Sequence, residues 1–325
     1  MKIKLLQKIL LITGLALFVT VQLQGQSLRE AIETFNTGME LVDTDIEAAI
    51  ENIERSHEMA LQLGAEGEEL QVQAEIQLPG LYYSRALAIY RERDIPGAVD
   101  AFEQAIEKSE QFDDPETKRR SESVLHQLYA MLGDAQFRET NNEEALELFD
   151  KALEINPQHA RSYLGKSLVY RRLEDTENFK RSIDRTIETA LATENEQIFQ
   201  TAESTARDYF LLRGIRAKGE SEYERALELL KTSLEYDQSF SETHFIIASI
   251  YNEQSLFQNA VNSARRAISL TDGSQNETAK IYFELGKAYE GLGNSEQACD
   301  AYKNAAHGQY EASAKYQMEH ILKCQ

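Results

Sequence analysis

The stretch YFELGKAYEGLGNSEQACDAYKNAA, from Tyr282 to Ala306, decides how the chain folds. It breaks at Gly293-Asn294, a turn dipeptide, into two segments whose apolar and small residues recur at helical spacing. Tyr282, Leu285, Gly286 and Tyr289 fall on one face of the first segment, and Ala298, Tyr302 and Ala305 on one face of the second. Asn294, with Gln297 three residues on, reads as a capping box that starts the second helix. A small residue on each helix at the crossing lets the backbones approach, while the aromatics fill the space around them.

The same frame returns upstream. One unit carries His244, Ile247, Ala248, Tyr251, Ala260, Ala264 and Ala267; the one before it carries Phe210, Gly214, Tyr223, Ala226, Leu230 and Ser233. Tyr163, Ser167, Tyr170, Ile183 and Thr186 form another, and Tyr129, Leu132, Gly133, Ala145, Phe149, Ala152 and Pro157 a very regular one. Two weaker units precede these, one with Tyr82, Ala86, Ala98, Phe102 and Ala105, the other with Gly38, Ala49, Ile53 and Ser56. Tyr129 to Tyr163, Phe210 to His244 and Ala226 to Ala260 are each 34 residues apart. This pattern resembles the tetratricopeptide repeat, a 34-residue helix-turn-helix unit with aromatic, Leu-Gly, Tyr, Ala, aromatic, Ala and Pro at fixed offsets. The resemblance implies an all-α, right-handed superhelical solenoid of about seven helix hairpins over 26–309. A C-terminal capping helix over 310–325 would cover the last apolar face. Steps longer than 34 fall in helical text such as HEMALQLGAEGEELQVQAEIQ (57–77), so the excess should lengthen helices. Phe179 stands where the family has Ala, and Lys166 where it has Leu.

Length and composition agree with an array. A chain of 325 residues exceeds what one compact core organises. Only 4 Pro and no Trp occur, and helix formers abound. The chain opens MKIKLLQKILLITGLALFVTVQLQGQS, with Lys2, Lys4 and Lys8 before an apolar run from Ile9 to Val21. That is a signal-peptide pattern over 1–25, with cleavage expected after Gly25 and a periplasmic or secreted product. An uncleaved anchor is the second reading, against which the shortness of the apolar run counts. No later stretch is apolar enough to span a membrane. A formal charge of -21 argues against nucleic-acid partners, whose phosphates need clustered Lys and Arg.

Candidate chemistry is sparse. His57-Glu58 begins a zinc-protease motif, but Leu61 occupies the second ligand position. Asp43, Asp45, Glu47 and Glu54 mimic a calcium loop, yet Ala48 replaces the Gly its turn requires, and Thr44 with Glu47 reads as a capping box. No catalytic residue, metal site or cofactor is expected, and the chain is read as not an enzyme. Cys299 and Cys324 stand alone as cysteines. Export permits them to pair, whereas two straight helices turning near Gly308 would leave them mismatched by about 10 Å, so bonded and free states both stay open.

The resemblance also implies a concave face lined by the first helix of each unit. It would hold Tyr83, Leu87 and Tyr90; then Ala130, Asp134, Phe137 and Arg138; then Arg161, Leu164, Leu168 and Arg171. Leu211, Ile215 and Lys218 follow, then Phe245 and Asn252, and last Phe283 and Lys287. Large apolar side chains there would await a partner helix or extended peptide. Arg138, Arg161, Arg171, Arg172 and Lys218 would steer an acidic segment. Against this, the apolar residues could pack on neighbouring helices and the cations pair with nearby Glu. The expected function is a non-enzymatic, protein- or peptide-binding scaffold of the cell envelope. A sensory module of an envelope signalling system and a cell-surface glycan-binding component are the alternatives.

Overall fold

The structure is a computed structural model that describes residues 27–324. The expected signal segment, with its cleavage point after Gly25, lies outside the described residues. Those described are helical, with no β-strand among them. In order they form α1 (27–41), α2 (Ile46–Leu63), α3 (Glu68–Arg91), α4 (Ile95–Gln111), α5 (Pro115–Arg138), α6 (Asn142–Ile155), α7 (Ala160–Arg172) and α8 (Thr176–Ala192). There follow α9 (Glu196–Gly219), α10 (Tyr223–Tyr236), α11 (Ser241–Glu253), α12 (Phe257–Ser269), α13 (Gln275–Gly291), α14 (Ser295–Ala305) and α15 (Glu311–Tyr316). Each odd-numbered helix through α13 is the first of a repeat and the next its second, which gives the seven expected pairs. Where the sequence pattern suggested one array over 26–309, the chain divides between Val169 and Tyr170 into two compact units.

In the first unit the close crossings fall where the small residues predicted them. A Cβ on Gly133 of α5 would sit 2.8 Å from the ring of Phe149 on α6, and one on Gly165 of α7 would overlap the same ring. Phe149 is fully buried between these two glycines, beside Ala145 and Val169. Gly38 of α1 faces Ile53 of α2 in the same way. Ala86, Ala98, Phe102, Leu128, Tyr129 and Ala152 form the core between. Lys166, which broke the family pattern, pairs with Asp150.

In the second unit, Phe179 of α8 is fully buried against Tyr209 and Phe210 of α9, with ring centroids 4.0 and 5.9 Å away. The large ring thus fills space against a long neighbouring helix instead of spoiling the fold. Gly214 faces Leu230 and Gly286 faces Tyr302, while Ala248 and Ala260 are fully buried.

The steps beyond 34 residues become helix: α3, α5 and α9 each run 24 residues, against 13 in α7 and α11. Acidic and amide caps start many of them. Asp45, Asp94, Asp114, Asp175 and Asn195 each accept the backbone N–H three residues on, at 3.0–3.1 Å, satisfying a donor that the helix leaves orphaned. Asp45, not Thr44, is therefore the cap of α2. At α14 Asn294 occupies the cap position without a side-chain bond, so the expected box with Gln297 does not form, whereas Ser274 and Glu277 form one at α13. The turn inside most repeats places one residue in the left-handed region: Arg93, Thr140, Glu174, Ser221 and Ser255, and Gly293 only in the last.

Two second-helix hydroxyls reach across a hairpin, as the first-helix hydroxyl of Ser241 on α11 does to the Ala267 carbonyl of α12 at 3.0 Å. Ser56 Oγ of α2 donates to the Ala31 carbonyl of α1 at 2.9 Å, and Ser233 Oγ of α10 to the Arg207 carbonyl of α9 at 3.0 Å. Both occupy the repeat position that holds Ala105, Ala152, Ala267 and Ala305 in other units.

The chain end is helical but broken. A 3-10 turn at Gly308–Tyr310, the short α15 and a π-helical stretch at Gln317–Ile321 replace the single capping helix expected over 310–325. Ala314 is fully buried against the last pair, with Met318 and Leu322 packed beside it. These breaks bring Cys324 back to Cys299 on α14, and the two are disulfide-bonded with Cα atoms 5.8 Å apart. The 10 Å mismatch argued from straight helices does not arise.

Candidate functional site

The first-helix residues differ in how much surface they present. In the first unit, Tyr83 is half-buried edge-on to Phe102, its other face under the Arg120 guanidinium at 4.3 Å. Leu87 lies half-buried beside the same core, and Tyr90, one helical turn on, is exposed. Phe137 packs on the Phe149 cluster, while Leu164 and Leu168 remain half-exposed on α7. Arg161 is answered by Asp134 at 2.6 Å. Arg138 is exposed and has no carboxylate partner among the described residues.

In the second unit, Leu211 is 7% exposed and belongs to the core with Ala226, Leu230 and Ile247, so it is not a groove residue. It is buried in one cluster with Ile247 and Ile250 of α11, the first helix of the next repeat. Ile215 is exposed, Phe245 is half-buried under the Lys280 ammonium at 4.8 Å, and Arg171 is exposed. Lys218 pairs with Glu253 at 2.7 Å and Lys287 with Glu284 at 3.2 Å. Two of the five expected steering cations, Arg161 and Lys218, are thus paired internally.

Three expected residues, Asn252, Phe283 and Lys287, come together in one open pocket of about 510 Å³ at the last repeat. Phe257, Glu290, Gly291, Tyr302 and Gln317 complete its wall. Phe283 stands edge-on to Tyr302 with centroids 5.4 Å apart, and the Tyr302 hydroxyl donates to Glu290 Oε2 at 2.8 Å. Burial and that carboxylate push the Tyr302 phenol well above its ordinary range, so it acts as a donor and not as an acid or base. Gln317 could not be foreseen here, because a continuous capping helix would have set its direction differently.

Residues that mimicked catalytic or metal motifs are spent on packing. His57 Nε2 lies 3.0 Å from Glu75 Oε1, and its ring meets Phe112 edge-on. Burial would raise the Glu54 carboxyl, but hydrogen bonds from Tyr82 and Lys108 hold it below its usual value. Among the described residues, no group of three or more His, Cys, Asp or Glu is placed to hold a metal ion, and no helix is long and apolar enough to cross a membrane.

Family models for the tetratricopeptide repeat match residues 126–159, over α5 and α6, and residues 279–306, over α13 and α14. These two hairpins are thus tetratricopeptide repeats, units that work mainly by binding other proteins and are generally without catalysis. Among solved structures the chain is similar to YrrB, described as a TPR protein with an unusual peptide-binding site, at 20% identity over 69% of this chain and 96% of that one, with a TM-score of 0.33. PilW, described as a widely conserved type IV pilus biogenesis factor, matches at 20% identity over 74% and 99%, with a TM-score of 0.31. The C-terminal part of a repeat protein from Cytophaga hutchinsonii matches at 16% identity over 59% and 74%, with a TM-score of 0.36.

Proposed function

We propose that this chain is a non-enzymatic scaffold of the cell envelope that holds a segment of another protein against the first helices of its repeats. The observation that carries this reading is the row of large side chains left part-exposed on those helices: Tyr83, Leu87 and Tyr90 on α3, and Leu164 and Leu168 on α7. Such surface is costly in water unless a partner covers it. Export is supported by the signal-like pattern of the first 25 residues and by the Cys299–Cys324 bond, which an oxidising compartment preserves. Any pull on an acidic partner segment falls to Arg138 and Arg171, the groove cations without an internal carboxylate.

A pull-down from envelope extract, read by mass spectrometry, tests the scaffold. One specific partner is expected with the native chain, and its loss with Leu164→Glu/Leu168→Glu at unchanged helicity. No specific partner on intact protein overturns the reading, and a partner retained by the double variant moves the contact elsewhere. Mass analysis of the mature chain after fractionation tests export, with Gln26 expected first.

A further inference from the structure

We propose that the pocket on the last repeat is a guanidinium site, built to take an arginine side chain of the partner protein. Its distinguishing feature is a pair of buried acceptors without donors. Asn252 is 7% exposed, and its Nδ2 donates to the Glu284 carbonyl at 2.9 Å and to Glu284 Oε2 at 2.7 Å. Those two bonds fix the amide, so its oxygen is the end left over. That Oδ1 is buried and accepts nothing, and Gln317 Oε1, on the wall contributed by the terminal segment, is buried and equally unpaired. A buried acceptor without a donor is destabilising, and such atoms are rare enough to require a reason. Of the three such side-chain acceptors among the described residues, Gln254 Oε1 lies elsewhere and the other two belong to the walls of one pocket, where they ask for a ligand that donates.

The remaining lining narrows the class. Glu290 adds a carboxylate, one oxygen of which takes the Tyr302 hydroxyl. Lys287 does not invite an anion, because Glu284 already answers its ammonium through both carboxylate oxygens at 3.2 Å. A carboxylate ligand would therefore meet the fixed Asn252 oxygen and the Glu290 carboxylate, with the Gln317 amide nitrogen as the one neutral donor to offset them. Phe257 and Phe283, both part-exposed, supply flat apolar walls. The side chain that donates only, is planar, stacks on aromatic rings and carries a positive charge is arginine. A lysine ammonium donates but cannot stack, and a neutral apolar chain leaves both oxygens unpaired. Because the two oxygens are sealed from water in the free protein, entry requires the Gln317 side chain to swing outward and close again on the ligand. The acidic balance of the whole chain favours the approach of such a cation.

The naming of a partner protein as the source rests on the scaffold reading; the chemistry of the pocket does not. The test uses the oxidised mature chain labelled with 15N, titrated with acetyl-arginine methylamide and with the lysine, norleucine and glutamate counterparts, while the side-chain amide signals of Asn252 and Gln317 are followed. Saturable shifts of both signals by the arginine probe are expected, with Gln317→Ala weakening it about tenfold, the worth of one hydrogen bond to a charged donor. Phe257→Leu, which keeps the pocket apolar but removes a flat face, should weaken arginine while leaving the lysine probe unchanged. Equal binding of lysine or norleucine, preference for glutamate, or no shift of either amide overturns the proposal. Free arginine binding more tightly than the blocked residue overturns the choice of a protein segment. Recovery of an envelope partner alongside unmoved amides sinks the pocket alone; saturable arginine binding without any partner sinks the scaffold alone.

Discussion

Phe149 and the two glycines that flank it offer the sharpest test of the packing. Gly165→Ala would bring a Cβ into overlap with the ring, within 2.7 Å of Cε2, and Gly133→Ala would place one 2.8 Å from Cε1 on the α5 side. The ring is fully buried and held between the two helices, so retreat from one glycine drives it toward the other. In an unconstrained helix, Gly→Ala gains about 0.5–1 kcal/mol from backbone entropy. Overpacking of a close-packed core costs about 1–3 kcal/mol, so each single variant should be destabilised by about 0.5–2 kcal/mol. With a urea slope of about 1–3 kcal/mol per molar, the midpoint followed by circular dichroism should fall by a few tenths of a molar to about 1 M. Removal of ring volume by Phe149→Leu should reverse the sign, making Gly165→Ala neutral or stabilising in that background. The double-mutant cycle should then give a coupling of about 1–3 kcal/mol. A stabilising Gly165→Ala in the native background, or additive effects in the cycle, would refute the crossing geometry on which the repeat assignment depends.

Three further outcomes follow from other parts of the fold. Ser255→Gly relieves a left-handed backbone at φ 59° and should raise stability by up to ~1 kcal/mol, read as a higher urea midpoint, whereas Gly293→Ala in the equivalent turn should lower it. Burial, with the nearby His126 and Arg161 charges, lowers His159 from 6.5 to about 4. The unfolded chain therefore takes up that proton first, and this group's contribution, complete above pH 6.5, is lost as pH falls toward 4; His159→Gln should flatten that portion of the stability profile. Reduction of Cys299–Cys324 opens a 25-residue span, worth about 3.5 kcal/mol in the chain-entropy account, and hydrogen exchange should rise in α14 and beyond while α5 and α6 stay protected.

Most of the fold was legible because its determinants are local. Gly133 against Phe149 and Gly286 against Tyr302 are pairs that a frame of small and aromatic residues announces. Helix length proved harder to use. The extra residues of α9 extend a helix as expected, but the burial of Leu211 comes from Ile247 and Ile250 of the next repeat, a contact that spacing within α9 does not announce. Two of the expected cations are spent for another reason: Arg161 and Lys218 find carboxylates on neighbouring helices, and pairing across helices leaves no periodic trace. The terminal segment was least legible, since neither its π-helical stretch nor the resulting position of Gln317 follows from hydrophobic spacing. For the same reason the pocket was seen only from its α11 and α13 sides.

The serine hydroxyls of α2 and α10 bear on mechanical behaviour. Contacts among Ala, Gly and aromatic side chains are tolerant of small axial slippage, since one apolar knob resembles the next along a helix. A directional bond from Ser56 or Ser233 to a single carbonyl is not, and it works as a ratchet tooth that fixes how far one rod can creep along its neighbour. Under tension, hairpins with alanine at that place and no such bond should glide before they part, whereas these two, and the α11–α12 pair that Ser241 ties to the Ala267 carbonyl, should hold and then snap.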